Sequence, residues 1–457
     1  MQGSRFGGIK PPYSTETHMV YPLLKDISQK NIDSLTRQLY QSKPVGEGDN
    51  GKAYLVSSPF EDIKENVVVK VHKGLQARQK DDLQEVKSLD MLEDLWKEKS
   101  LGLSQRGLVA FKPKGGLQHI VSTFVPGTLQ DINYNPITPK ALHRCVEHII
   151  TLDQGTPKHG RFLHRDFHDL GNVHVSSNNA GFFDWENLCT IPIKKNVFIG
   201  MRRKPGYEKY HDYINHVRPW FKGSWYVLFG TADTFPFENN LKHFESRVIS
   251  PYLSKLIQAG KKQEGRSFFQ QYLQEKAFYH LTMQGYYSNL AKKIEQNTPA
   301  ADADNMKYFR IIQKIASSEG VHAKLLTSEN TKTPKDILKA ELFKMQLAYY
   351  AWYLRDCSSL GDFNGKQIGE LFDRSKSYFQ ERSSLAKWNQ DLDRKRYYQN
   401  CLMIIQVLDK EFNLPRPMVK PVLTEAGQVY FPPIRAMKPD GPRDLNLEEQ
   451  LYGIKSE

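Results

Sequence analysis

The chain has 457 residues, 39% hydrophobic and 12% aromatic, enough for two or three packed units and too apolar for a disordered polymer. Lys and Arg outnumber Asp and Glu by 64 to 51, a net charge of +13. That balance favours anionic partners such as nucleotides, phosphorylated substrates, acidic lipid surfaces or nucleic acid, and equally describes a solvated basic surface.

No run approaches the roughly 18 apolar residues of a membrane span. The start, MQGSRFGGIKPPYSTETH, has no apolar core of the kind found in secretory signals. Four cysteines, Cys145, Cys189, Cys357 and Cys401, lack CxxC spacing, which argues against a zinc site and a disulfide framework. The expectation is a soluble, cytoplasmic protein with no transmembrane segment.

In chain order, residues 1–38 read as an irregular arm leading into a short helix, because NIDSLTRQLYQ has apolar residues at helical spacing. Residues 39–125 begin with short β-type runs, KPV, KAYLVSS and NVVVKVH, broken by a glycine-rich turn and the SPFEDIKE loop. An amphipathic helix follows, with Leu83, Val86, Leu89 and Leu92 along one face, then two more strands in GLVAFKP and LQHIVSTFV. Residues 126–260 open with a PGTLQDINYNP linker. Thr138 and Pro139 then supply an N-cap and a first-turn proline for a helix whose apolar face is Leu142, Cys145, Val146, Ile149 and Ile150. Residues 261–414 are dominated by helical patterns, the last running through SLAKWNQDLDRKRYYQNCLMIIQVLDKEF. Residues 415–457, rich in proline, read as a wrapped or mobile tail.

Chemistry is concentrated in the first half. GEGDNG carries Gly46, Gly48 and Gly51 between two strands, where backbone without Cβ can approach phosphate oxygens. An ordinary glycine-rich hairpin would look the same. Lys70 interrupts the apolar run VVVKV and needs an anionic partner to offset desolvation, unless it snorkels at a strand edge. Glu85 on the following helix is the natural carboxylate, and Glu93 is the choice if the helix is phased differently.

Further on, LHRDFHDLGNVHV precedes GFFDWEN. Asp166 can accept or orient the proton of an attacking hydroxyl, while Asn172 and Asp184 offer the hard oxygen ligands that suit Mg²⁺ around a triphosphate. His164 and His168 stand at i, i+4, but binding one transition metal through both rings would require a helix, and Phe, Asp and Gly there favour a loop. Between Asp184 and residue 225, Lys194, Lys195, Arg202, Arg203 and Lys204 are interleaved with Tyr207, Tyr210 and Trp220. These cations could recognise an anionic acceptor, or form a solvated or membrane-facing loop. No RNA- or DNA-binding module accompanies them.

Taken in order, GEGDNG, VVVKV, EVKSLDML, HRDFHDLGN and FDWEN resemble the protein-kinase-like superfamily over about residues 43–190. The resemblance implies an α+β, bilobal protein-kinase-like fold with a helical C-terminal extension, and ATP and Mg²⁺ as cofactors. It makes Lys70 the phosphate-binding lysine paired with Glu85, Asp166 the catalytic aspartate, and Asn172 and Asp184 the metal ligands. It also places adenine against the backbone of Phe124, Val125 and Pro126, and the acceptor beside His168, Arg202, Arg203 and Lys204. His168 in place of a lysine, and Asp184-Trp185-Glu186 in place of DFG, look more like the aminoglycoside and choline kinase branch. Asp166 and Asn172 are six residues apart instead of the usual five, and no APE element follows.

The implied reaction is phosphoryl transfer to a hydroxyl of a small molecule or lipid headgroup. The alternatives are a protein Ser, Thr or Tyr acceptor, AMP transfer, or a pseudokinase scaffold, any of these with or without an activating partner. The unfamiliar extension and the ending NLEEQLYGIKSE, with Glu448-Glu449 similar to a Glu-rich export signal, resemble a bacterial effector secreted into a host cell.

Overall fold

In a computed structural model the described residues are 19–22, 27–47, 51–72, 82–99, 106–112, 117–124, 137–164, 172–175, 180–183, 185, 188–191, 240–297, 302–327, 337–345, 365–412 and 447–452. The protein is mixed α+β, an antiparallel sheet with a predominantly helical remainder. It divides into two compact units, one of residues 1–127 with 181–189, the other of residues 128–180 with 190–457.

The first unit holds a six-stranded sheet: β1 (Met19–Pro22), β2 (Gly46–Glu47), β3 (Gly51–Val56), β4 (Val67–His72), β5 (Gly107–Lys112) and β6 (His119–Thr123). Their order across the sheet is β1-β5-β6-β4-β3-β2, with every pairing antiparallel. β1 is the element that composition concealed. The arm expected to be irregular contributes an edge strand, with Val20 opposite Phe111 and Tyr21 opposite Ala110. Lys43, Pro44 and Val45, read as a strand, lie outside β2, which begins at Gly46.

Strand β4 shows the period-two logic of a sheet covered on both faces. Val67 and Val69 join a core with Ile32 and Leu35 of α1 (Gln29–Gln41), and Val71 packs against it. Lys70 and His72, on the alternate positions, meet Glu85 of α2 (Asp82–Lys99). The start of α1 is set by Ser28, whose hydroxyl accepts from the Asn31 N–H. Gly51 answers to backbone crowding: a Cβ there would lie 2.7 Å from the Val71 carbonyl oxygen across the β3–β4 pairing.

In the second unit, α3 (Pro139–Gln154) starts as expected, with Thr138 accepting from the Ala141 N–H and Pro139 in the first turn. All five residues read as its apolar face are buried. It ends at Gly155, whose φ of 62° suits glycine, and a Cβ there would lie only 1.8 Å from the Gly160 carbonyl oxygen. That tight turn returns the chain into β7 (Arg161–His164). Short strand β8 (Val173–Val175) follows, and β9 (Ala180–Phe182) and β10 (Leu188–Ile191) straddle the two ends of the segment 181–189 that belongs to the first unit.

The helical region comprises α4 (Asn240–Phe244), a π-helical turn over Glu245–Ile249, α5 (Ser250–Gln258), α6 (Lys262–Gln296), α7 (Ala303–Thr327), helix at 337–345, α8 (Gly365–Trp388) and α9 (Leu392–Phe412). The pattern read as one helix through SLAKWNQDLDRKRYYQNCLMIIQVLDKEF is two, broken at 389–391 where α8 ends and α9 begins. Within the segment read as a tail, α10 (Leu447–Tyr452) buries Leu447 and Leu451, and Arg266 of α6 donates to the Leu451 carbonyl. Among the described residues, no helix is long and apolar enough to cross a membrane.

Candidate active site

Lys70 lies on a strand flanked by two others, paired with Ala53 on β3 and Ile120 on β6. A charge there has neighbours on both edges and a helix over its face, so it cannot reach water freely. Its ammonium lies 2.9 Å from Glu85 Oε2, and its side chain retains 18% exposure against 1% for Glu85. His72 Nε2, two residues along the same face, lies 3.3 Å from the same carboxylate oxygen. Burial by itself would raise the Glu85 carboxyl. The Lys70 ammonium and the adjacent His72 ring outweigh that effect and hold it at about 2. The site thus places a buried carboxylate, held below its ordinary range, against a lysine that retains some exposure. Glu93, the other carboxylate considered on this helix, is taken by Arg106, which binds it through Nη2 at 2.6 Å and Nε at 3.2 Å.

Helix α2 carries a second contact. Three turns beyond Glu85, Trp96 meets Trp185 edge-on, with ring centroids 6.4 Å apart and planes at 68°. Both indoles are buried. Trp185 directly follows Asp184, so the helix that fixes Glu85 also anchors the residue next to the expected metal ligand.

In the second unit, β7, which ends two residues before Asp166 in the sequence, is held by a polar network that reading the sequence missed. Asn240, at the start of α4, accepts from the His164 N–H at 2.8 Å and donates through Nδ2 to the Phe162 carbonyl at 2.8 Å. Its side-chain amide thereby serves β7 as a substitute strand partner. The same Nδ2 donates to Asp153 Oδ1 at 2.8 Å. Asp153 also accepts from Tyr279 Oη at 2.8 Å and Arg161 Nη2 at 3.2 Å. Burial raises the Asp153 carboxyl, while Arg161, Tyr279 and the Asn240 N–H act in the opposite direction. Local spacing could not have revealed Asn240, because its partners precede it by 76 to 87 residues.

No protein-family model matches the chain, and no curated protein matches it.

Of the expected phosphate-loop glycines, Gly46 pairs with Ala53, and a Cβ there would meet nothing nearer than the Ala53 Cβ at 4.0 Å. Among the described residues, packing thus gives no reason for glycine at Gly46, unlike Gly51. Phe124 follows β6 directly and is 38% exposed. Asn172 forms a short turn before β8 and is half-buried. Gly48, Val125, Pro126, Asp166, His168, Asp184, Arg202, Arg203 and Lys204 lie outside the described residues.

A partly exposed ammonium backed by a buried carboxylate is an arrangement that can meet an anionic group.

Proposed function

We propose that the chain is an ATP- and Mg²⁺-dependent phosphotransferase of protein-kinase-like fold, acting on a hydroxyl of a small-molecule or lipid-headgroup acceptor. The observation that carries the reading is the Lys70–Glu85 ion pair, joining a central strand to the helix packed over it. A lysine paired with a buried carboxylate and only partly withdrawn from water is suited to phosphate oxygens. The ordered motifs HRDFHDLGN and FDWEN support the rest.

In this reading Lys70 holds phosphate oxygens, and Glu85 keeps its ammonium from collapsing onto the sheet. His72 braces Glu85 from the adjacent position on the strand. Asp166 takes the proton of the acceptor hydroxyl as that oxygen bonds to the γ-phosphorus and the bond to the ADP oxygen breaks. Asn172 and Asp184 would hold Mg²⁺, which neutralises charge on the phosphates when bound. Asn240 acts on Asp166 only through β7, as a positioning residue.

The test is incubation of the purified chain with a cell extract, Mg²⁺ and either γ- or α-labelled ATP, then separation into protein, lipid and small-molecule fractions, beside Asp184→Ala. Label from γ-ATP alone, confined to one fraction and lost in the variant, is expected and names the acceptor class. Label from α-ATP would replace phosphoryl transfer with AMP transfer. Transfer undiminished by Asp184→Ala would overturn the assignment of the metal ligand.

A further inference from the structure

The turn between α8 and α9 gathers large apolar side chains at the surface. Trp388 is 87% exposed, Leu392 61% and Leu385 43%, the first two on either side of the turn. A flexible loop could fold such side chains away, but this turn is fixed. The Asp391 N–H donates to the Ala386 carbonyl at 2.9 Å and the Gln390 N–H to the Lys387 carbonyl at 3.2 Å, the two bonds of a Schellman ending. Gln390 occupies the left-handed position that glycine normally takes, with φ 53°, unique among the described non-glycine residues. Asp391 then caps α9 by accepting from the Arg394 N–H at 3.0 Å. Both helix ends are thus closed by their own backbone and cap, and Trp388 is held outward.

Charge indicates what the tip meets. From Lys387 to Arg396 the chain carries Lys387, Arg394, Lys395 and Arg396 against Asp391 and Asp393. Each carboxylate has a cation of its own: Asp391 lies 3.3 Å from Arg394 Nε, and Asp393 lies 2.9 Å from Lys324 Nζ. The surplus is positive, and Lys387 and Arg396 are exposed. Three side chains on a narrow helical hairpin fall far short of the roughly 800 Å² per partner of a stable protein interface. An exposed indole with leucines on both helices of the hairpin, and a surplus of cations in the same ten-residue stretch, suits the headgroup boundary of an acidic bilayer.

We propose that the α8–α9 hairpin tip docks the protein on anionic lipid membranes, seating Trp388, Leu385 and Leu392 at the bilayer interface with Lys387, Lys395 and Arg396 over the acidic headgroups. The inference is independent of the phosphotransferase reading and is tested without reference to activity.

The full chain is floated with phosphatidylcholine vesicles, with or without phosphatidylserine. Binding is expected only to the acidic vesicles, weakening as salt rises. Replacing Trp388 and Leu392 together by alanine should weaken it by about tenfold or more, with an unchanged thermal midpoint since both side chains are exposed. Lys387→Glu with Lys395→Glu should weaken it as well. Brominated acyl chains should quench the wild-type indole fluorescence more than that of Trp388→Phe. Failure to bind either vesicle, or equal binding by the Trp388/Leu392 variant, would overturn the proposal. Equal binding to both vesicle types would remove the acidic lipid as partner. A change in oligomeric state without a change in vesicle binding would reassign the tip to contact between copies of this chain.

Discussion

Lys70 and Glu85 are joined by 2.9 Å between Nζ and Oε2, and the two ends of that contact differ sharply in exposure, 18% for the lysine side chain and 1% for the glutamate. The asymmetry assigns roles. Glu85 is an internal anchor, while Lys70 is the end available to a ligand. Replacing Lys70 by alanine should therefore reduce transfer from ATP by roughly a hundredfold, and should also destabilise the fold because the buried Glu85 carboxylate loses its main cation. Glu85→Gln, which removes the buried charge and keeps the shape, should cost less stability, about 1–3 kcal/mol, while still lowering transfer as Lys70 loses its anchor. Initial rates and urea denaturation on the same preparations separate the two effects.

The same carboxylate has an acid signature. Its folded value of about 2 lies below the ordinary 4.5, so the folded state binds the proton less readily than the unfolded chain. The stability it confers is complete above about pH 4.5 and is lost as pH falls toward 2. Urea midpoints measured down that limb should fall more steeply for wild type than for Glu85→Gln. Parallel curves would mean that the ion pair does not hold the carboxylate charged.

Glu319 has the opposite sign. It lies 2.5 Å from His280 Nδ1 in the helical unit, and burial raises it to about 7 despite nearby lysines. Burial also pushes His280 well below the usual imidazole range, so a protonated carboxyl facing a neutral ring is the favoured pair near neutrality. Here the folded state binds the proton more tightly than the unfolded chain. The Glu319 contribution to stability declines as pH rises from about 4.5 to about 7, while the neutral His280 contributes a rise over the lower part of the same interval, so the pair leaves little net slope. Glu319→Gln, which keeps the shape and stays neutral, removes only the declining part, and its stability should rise with pH more steeply than that of wild type in thermal melts across the interval.

Asn240 makes a separable prediction for the second unit. Alanine in its place strands the His164 N–H, the Phe162 carbonyl and part of the Asp153 carboxylate, a loss of about 3 kcal/mol or more. The isosteric Asn240→Asp should not rescue it, because it loses the Nδ2 donor and sets a second carboxylate against Asp153. If Asn240 positions Asp166 through β7, the surviving folded fraction should show a lower kcat with little change in KM for ATP. An equal loss in both would assign it a purely structural role.

Much of the local structure was legible in the sequence. A lysine inside VVVKV announced a charge needing a partner, and the three-residue spacing of Val86, Leu89 and Leu92 set the phase of α2 that brings Glu85 to it. Thr138 and Pro139 marked the start of α3, and its buried face followed from period 3.6. These signals survive because capping and amphipathic periodicity act over a few residues, whatever the rest of the chain does.

Other features came only from the tertiary structure. Glu85 meets Lys70, while Glu93, two turns further along α2, pairs with Arg106 on the approach to β5. Residues 19–22 are a strand because β5 supplies their hydrogen bonds, which MVYP cannot do for itself. Lys387 to Leu392 break a continuous helical pattern because Gln390 takes the left-handed conformation, a choice its side chain does not advertise. Asn240 supports β7 across 76 residues of chain. Apart from the local Gln390 turn, the deciding partner lies well away in sequence, and only folding brings it within bonding distance.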